Sequence, residues 1–436
     1  MKHIIFTYII LVGSLASRAM AQEVVPITKL EVIAKVMTNN TAIKISEETY
    51  NVAKADYRQT NAIFLPSITA SHTGIATTNP LMAFGSKLNQ ELLTPNDFNP
   101  ALLNDPSQIQ NFATKIEVQQ PLINIDGVYQ RKAARSKMEA MSFQNKRTTE
   151  YLEFEAEKAY MQLQLAHKGV DVIEKALQVA FENKRLANNQ YEQGYIQRSD
   201  VLNVEVRVTE IQNQLQTAES NVLNASNYLS YLMNEDDSKV YIPVDTLATN
   251  VLNTFATNVP ESRSDIMAMQ LVSKAYEAVN KSDRMAFLPR LNAFGSYELY
   301  DNEVFQANAN GYLFGAQLSW DIFQGSKRFG KAQKSKAEYE KSKLEYQQYV
   351  SKSNLELNKA KRMFVDAQNK LILTTLAMQQ SAEALRIRTN RFKEGLEKTT
   401  DLLLVETQYA QKQLEYYQTI FEYNFAQAYV TFLTEE

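Results

Sequence analysis

Residues 185–205 read RLANNQYEQGYIQRSDVLNVE, and residues 386–406 read RIRTNRFKEGLEKTTDLLLVE. Arg185, Asn189, Gly194, Asp200, Leu202, Val204 and Glu205 recur as Arg386, Asn390, Gly395, Asp401, Leu403, Val405 and Glu406, each 201 residues further on. Seven identities at one offset within a 21-residue window mark a duplicated helix–turn–helix unit. The two copies must then share one architecture.

Working outward from the first turn, Leu152, Ala156, Ala159, Leu163, Ala166, Val170, Ile173, Leu177 and Ala180 follow one another in steps of 4 and 3. After Gly194 the same spacing runs through Val204, Val208, Ile211, Leu215, Ala218, Val222, Ala225, Leu229 and Leu232. In the second copy Leu357, Ala360, Phe364, Ala367, Leu371, Thr374 and Met378 keep the register. This is heptad spacing, with small residues that let helices approach closely. The final helix, 401–434, is less regular and richer in Tyr and Phe. Turn residues are scarce: the chain has 12 Gly and 10 Pro in 436 residues, with no Pro between Pro121 and Pro243 and none after Pro289. The spacing predicts outgoing helices over about 127–193 and 326–394, each roughly 100 Å long at 1.5 Å per residue.

Before each helical hairpin the period changes from helical to 2. A helix over 28–62 is expected to stop before Leu65-Pro66, and one over 262–285 before Leu288-Pro289. Ile68, Ala70 and His72 then alternate with Ser67, Thr69 and Ser71, and Phe112, Thr114, Ile116 and Val118 with Ala113, Lys115, Glu117 and Gln119. In the second copy Leu291, Ala293, Gly295, Tyr297 and Leu299 alternate with Asn292, Ser296 and Glu298. Tyr312, Phe314, Ala316, Leu318 and Trp320 alternate with Gly315, Gln317, Ser319 and Asp321. One such strand fits the edge of a soluble sheet; four of them, in two repeated hairpins, suit membrane barrel strands. Residues 79–107 read as a polar, Pro-bearing loop that either plugs the barrel, covers its surface or is disordered.

The N-terminus opens with Lys2 and His3, runs through an apolar Ile4–Leu15 and reaches Ala19-Met20-Ala21. This is the pattern of a secretory signal cleaved after Ala21, and the apolar core is short for a retained anchor. No other stretch has the length and apolarity of a transmembrane helix. There is no cysteine, so neither disulfides nor a lipid on a cysteine can contribute. Loss of Lys2 and Arg18 takes the formal net charge from −3 to −5, a mild balance that gives no reason to expect nucleic acid.

No catalytic constellation, cofactor motif or metal-ligand spacing is visible. Beyond His3, His72 sits on an expected strand and His167 in an expected helix, neither with a second ligand at a suitable spacing. Gly169 and Gly330 lie in helical runs and form no phosphate loop. The chain reads as a non-enzyme. Four strands are too few for a membrane barrel, and open edges are not tolerated in lipid, so other copies must complete it. Two chains would supply eight strands and three would supply twelve.

Taken in order, the Leu-Pro pairs at 65–66 and 288–289, the corners Gln120-Pro121-Leu122-Ile123…Gly127 and Trp320-Asp321-Ile322-Phe323…Gly325, and the two Gly-containing turns make the chain resemble the TolC-like outer-membrane efflux protein family. The resemblance covers nearly the whole chain after the signal. It implies a mixed α and β protein, mainly long helices. The implied assembly is a homotrimer with a 12-stranded transmembrane β-barrel continued by a 12-helix periplasmic α-barrel, built from two internal repeats per chain. The first repeat would span 22–235 (a helix, β-hairpin 64–122, helical hairpin 126–234). A linker over 236–260 would join the equatorial belt. The second repeat would span 261–436 (a helix, β-hairpin 289–322, helical hairpin 326–434).

The function implied is the exit duct of a tripartite efflux or type I secretion system in the outer membrane of a diderm bacterium. Its partners would be a periplasmic adaptor, an inner-membrane transporter and outer-membrane lipid, with no cofactor. The competing reading is a periplasmic coiled-coil adaptor that never enters the membrane.

The resemblance also implies site residues. Asp401 matches an acid that rings the narrow periplasmic entrance, and Asp200, Glu397 and Lys398 belong to the same constriction. The family's second acid falls on Leu404 and its expected base on Glu397, so a double acid ring does not carry over. Asp200 and Asp401 read equally as residues that begin the returning helices, where carboxylates complement amide dipoles. Gly194, Tyr195, Gly395 and Leu396 form tips to which an adaptor would dock; the glycines also suit left-handed helix ends. Tyr312, Phe314 and Trp320 read as a lipid-facing belt or as packing against a neighbouring strand.

Overall fold

The computed structural model describes residues 23–249 and 258–435. The expected signal segment, 1–21, lies outside the described residues, as does 250–257 of the expected linker. The described chain falls into two compact units. One takes residues 23–44, 148–249, 258–259 and 354–435; the other takes 45–147 and 260–353.

The helices arise where the heptads place them: α5 (Ile125–Glu192) and α6 (Arg198–Met233) in the first copy, α8 (Lys327–Lys393) and α9 (Thr399–Thr434) in the second. In the first unit, Ile173 and Ala180 of α5 are buried with Val208, Ile211 and Ala218 of α6, so the seam read from the sequence is the packed seam. Leu357, Ala360, Ala367 and Thr374 of α8 are likewise buried.

The expected helix over 28–62 is two helices, α1 (Lys29–Asn39) and α2 (Thr41–Gln59). Asn40 breaks it: its backbone is extended, its Oδ1 accepts from the Ala42 N–H at 2.8 Å, and its Nδ2 donates to the Leu232 carbonyl at 2.7 Å. A side chain that caps the following turn competes with continuing the helix.

A small sheet in this unit was not foreseen. β1 (Glu23–Ile27) pairs in parallel with β4 (Lys239–Pro243). Ile27 and Tyr241 are buried with Val32, Val36, Tyr160, Leu163 and Leu229. Glu235 fastens the same region through Lys35 at 2.8 Å, Lys239 at 3.0 Å and the Tyr241 hydroxyl at 2.9 Å. Burial works to raise its carboxyl, but these three donors outweigh burial and bring it down to about 2.

The second unit is built on a four-stranded antiparallel sheet: β2 (Ser67–Thr77), β3 (Ile109–Ile123), β5 (Arg290–Asp301) and β6 (Ala309–Ser319), in that spatial order. β3 pairs with β5, so the two repeated hairpins lie side by side and, among the described residues, leave β2 and β6 as unpaired edges. Pro121, which lacks an N–H, stands at a register shift between Pro121 and Ile123, where a ladder tolerates it.

The 79–107 segment is ordered rather than a plain loop. It contains α3 (Pro80–Asn89) and α4 (Pro100–Asn104), started by the side chains of Asn79 and Asn99 and clamped by Lys87 to Asp97 at 2.6 Å. Buried Gln90 ties it to the sheet, donating to the Gln110 carbonyl at 2.9 Å, Asn111 Oδ1 at 2.8 Å and the Asp301 carbonyl at 3.1 Å.

In the same unit, α7 (Ser264–Met285) begins at a buried charge knot. Arg263 grips Asp265 with two hydrogen bonds at 2.7 and 2.8 Å, Arg147 lies 3.6 Å away, and Tyr349 donates its hydroxyl at 2.7 Å. Burial tends to raise the Asp265 carboxyl, and the donors around it keep it below the usual range.

Candidate channel site

The two duplicated turns close alike. In the first, the Tyr195 N–H donates to the Gln190 carbonyl and the Gly194 N–H to the Tyr191 carbonyl, both at 2.9 Å. In the second, Leu396 donates to Arg391 at 2.9 Å and Gly395 to Phe392 at 3.1 Å. Both glycines are left-handed, with φ of +77° and +74°. This pair of bonds ends a helix by satisfying its last carbonyls, and it needs a residue with little steric objection to positive φ. Tyr195 and Leu396 follow at once and stand exposed.

The acids diverge between the copies. Asp200 Oδ2 accepts from the Gln197 N–H at 3.0 Å, so Asp200 caps α6. Asp401 occupies the same place in α9, half-buried, and among the described residues its carboxylate has no hydrogen-bond or ion-pair partner. Glu397 braces the second turn, held by Arg388 Nη1 at 2.5 Å and Arg391 Nε at 3.0 Å, while Arg391 Nη2 also reaches the Leu396 carbonyl at 3.1 Å. Burial would raise the Glu397 carboxyl, and the Arg391 and Arg388 hydrogen bonds hold it below its ordinary value. Lys398 is exposed and offers its carbonyl to the Asp401 and Leu402 N–H groups. Leu404, in place of a second acid, is also exposed.

Two links between the copies escaped the sequence reading. Gln190 Nε2 donates to the Phe392 carbonyl at 3.1 Å, and Asn183 Nδ2 to Glu406 Oε2 at 2.8 Å. Glu406 is 2% exposed. Burial pushes its carboxyl up, against the Asn183 hydrogen bond and the charge of Arg207. Glu406 Oε1 and Arg207 Nε are both buried without a hydrogen-bond partner. The signal was present: Leu402, Glu406, Tyr409 and Gln413 follow steps of 4, 3 and 4, which puts a lone acid in a helix seam.

The sheet separates apolar from polar. Register and strand alternation place Ile68, Ala70 and His72 on one face with Phe112, Thr114, Ile116, Val118, Leu291, Tyr297, Tyr312, Phe314 and Leu318. The other face carries Ser67, Thr69, Ser71, Lys115, Glu117, Gln119, Asn292, Ser296, Glu298 and Gln317, interspersed with Phe294, Tyr300 and Leu313. Tyr312 is 76% and Phe314 78% exposed, and their rings stack at 6.2 Å. β6 ends at Ser319, so Trp320 lies just past the ladder rather than within it as the alternation suggested. It is 60% exposed, with its indole N–H donated to the Phe287 carbonyl at 3.0 Å.

His72 bonds Thr114 Oγ1 at 2.8 Å and His167 the Tyr241 carbonyl at 3.0 Å, each within its own unit. Among the described residues no group of three or more His, Cys, Asp or Glu is arranged to hold a metal, and no helix is long and apolar enough to cross a membrane.

Long helical hairpins repeated after paired strands, with a sheet split into apolar and polar faces, match a class of solved membrane channels. A membrane protein from Pseudomonas aeruginosa superposes with a TM-score of 0.82 at 17% identity, covering 93% of each chain. The Campylobacter jejuni CmeC outer membrane channel gives 0.79 at 14%, covering 93% of this chain and 85% of its own. The outer membrane protein VceC of Vibrio cholerae gives 0.79 at 15%, covering 93% and 96%. At these identities the likeness establishes the fold. The chain itself belongs to the outer membrane efflux protein family, whose model matches residues 32–235 and 257–432. The family is one of outer membrane efflux proteins and the Campylobacter jejuni relative is an outer membrane channel, so the adaptor alternative is not favoured. No curated protein sequence gives a significant match.

Proposed function

We propose that three copies of this chain assemble into an outer-membrane exit duct, which passively conducts cargo delivered by an inner-membrane transporter and a periplasmic adaptor. The observation that carries the reading is the sheet: one face largely apolar, the other holding the charged and most of the polar residues, and, among the described residues, an unpaired strand at each edge. In lipid those edges must be paired, and joining β6 of one copy to β2 of the next closes a barrel of twelve strands. The apolar face then meets lipid with Tyr312, Phe314 and Trp320 as its aromatic belt, and the polar face lines the lumen.

In this reading α5, α6, α8 and α9 of three copies form a twelve-helix periplasmic tunnel, with 22–235 and 261–436 as the two repeats. Residues 236–260 belong to the equatorial belt, and 1–21 is the export signal removed after Ala21. The turns at Gly194, Tyr195, Gly395 and Leu396 face the adaptor. Asp401 supplies the entrance carboxylate, while Asp200, Glu397 and Lys398 shape the same constriction.

The test is negative-stain imaging and native mass measurement of the detergent-extracted protein, alongside membrane fractionation. The expected result is a hollow three-fold particle with a detergent belt, recovered from the outer membrane. A detergent-independent monomer or a solid rod would overturn the proposal.

A further inference from the structure

The polar face of the sheet gathers its charge into one knot. Lys115 of β3 places Nζ 3.0 Å from Glu117 Oε2 and 3.4 Å from Glu298 Oε1. The register sets Lys115 directly opposite Glu298 of β5. The carboxylates are fixed from further sides as well. Gln119 Nε2 donates to Glu117 Oε1 at 2.7 Å, Ser296 Oγ to Glu298 Oε1 at 3.3 Å, and the Tyr300 hydroxyl to Glu298 Oε2. Every carboxylate oxygen therefore accepts at least one hydrogen bond, which holds two negative charges around a single ammonium.

The neighbouring strands do not offset this excess. Opposite Glu117 and Lys115 on β2 stand Thr69 and Ser71, which are neutral. Opposite Glu298 on β6 stands Gly311, which has no side chain to screen the carboxylate. Arg290, at the start of β5, is turned to Asp126 at 2.5 Å and is not available to the knot. The apolar face carries no Lys, Arg or Glu, and Asp301 lies only at its rim.

We propose that Lys115, Glu117 and Glu298 form a charge filter in the barrel lumen that favours small cations over anions. The inference rests on the duct reading above. Each chain contributes a net charge of −1 at this level, and a wall charge acts over about 8 Å at physiological salt. Lys115 tunes the filter: without it both carboxylates face the lumen, whereas without Glu298 the remaining Lys115–Glu117 pair is neutral.

The test is the reversal potential of the purified full-length protein in planar bilayers under a KCl gradient, for the wild type, Lys115→Gln and Glu298→Gln. Asp401→Ala is used as a second background, so that the entrance carboxylate does not mask the sheet. The wild type is expected to prefer K⁺. Lys115→Gln should raise the K⁺ to Cl⁻ permeability ratio about twofold or more, and Glu298→Gln should lower it by a similar factor. Glu117→Gln removes the same charge and should shift the ratio in the same direction as Glu298→Gln, which covers the case of a variant that fails to assemble. Conducting channels with one common reversal potential, or an anion-preferring wild type, would overturn the filter and leave the duct standing. A wild type that never conducts would overturn both.

Discussion

Asn183 of the first outgoing helix donates to buried Glu406 of the last helix across 2.8 Å, joining the two copies a few turns from their tips. The repeat explains why this acid is buried. Its counterpart, Glu205, lies 3.4 Å from Lys184 and 4.0 Å from Arg198. The positions equivalent to those two cations are Leu385 and Thr399. Having lost both cations, the second copy's acid turns to the first copy's amide.

Because burial raises the Glu406 carboxyl, the native state holds that proton to higher pH than the unfolded chain does. The associated stability is fully present below the ordinary carboxylate range and is lost as pH rises through the raised value. Glu406→Gln keeps an acceptor for Asn183 and removes the buried charge. It should raise the unfolding temperature at pH 8, with the advantage shrinking toward pH 5. Asn183→Ala leaves the carboxylate without its donor and should cost about 1–3 kcal/mol at pH 8. Thermal unfolding followed by circular dichroism at the two pH values checks both; a Gln variant destabilised equally at each pH would refute the assignment.

Asp265 is the opposite case. Its carboxyl is held low by Arg263, Tyr349 and Arg147 against the effect of burial, so its contribution is present above the ordinary carboxylate value and lost as pH falls through the depressed one. Asp265→Asn removes the carboxylate that two buried guanidinium groups share and should destabilise by about 3–5 kcal/mol at pH 7. Tyr349→Phe removes one hydrogen bond and should cost only about 1–2 kcal/mol. The Tyr349 hydroxyl, raised to about 12 by burial and by Asp265, should also resist ionisation in an alkaline absorbance titration. A larger loss from Tyr349→Phe than from Asp265→Asn would contradict this ranking.

Most of the frame was legible because it depends on local periodicity. Ala156, Leu163, Val208 and Ile211 are buried at the spacing the heptads prescribe, and the alternations at 67–72 and 291–299 became paired strands. Gly194 and Gly395 announced their left-handed turns. The misses are of other kinds. β1 and β4 are five-residue strands whose pairing spans some 200 residues, and so short a run has no readable period. Asn79, Asn99 and the Lys87–Asp97 clamp order a segment whose composition reads as loop. Asp265 and Glu406 are single charges whose partners come from distant sequence, so burial that looks forbidding in one strand of text is satisfied only in three dimensions.

Glu397 predicts a difference between the two tips. It binds Arg388 and Arg391, whereas the first turn has no acid at the equivalent position, Ile196. Glu397→Ala should release Arg388, leave Arg391 only its bond to the Leu396 carbonyl and loosen the second turn, so that limited trypsin digestion cuts after Arg388, Arg391 or Lys393 several-fold faster, while cleavage after Arg198 is unchanged. The carboxyl is held below its ordinary value, so the brace should also weaken as pH falls below the usual carboxylate range. Equal acceleration at both turns would point to general unfolding instead of a local brace.

Asp401 gives the sharpest functional contrast with its duplicate. Asp200 is engaged at the start of α6, whereas among the described residues the Asp401 carboxylate has no partner at the matching place in α9. Loss of Asp200 should therefore act on stability: Asp200→Ala should cost about 1 kcal/mol, as removal of a helix cap does. Loss of Asp401 should act on ions. In planar bilayers Asp401→Ala is expected to weaken block by multivalent cations added on the periplasmic side by roughly tenfold, equivalent to about 1.4 kcal/mol. Asp200→Ala should leave block within about twofold of the wild type, since a carboxylate already committed to a backbone N–H has less to offer a passing cation. Equal block in wild type and Asp401→Ala would remove Asp401 from the entrance. A larger effect from Asp200 would show that the capped acid, rather than the free one, faces the ion path.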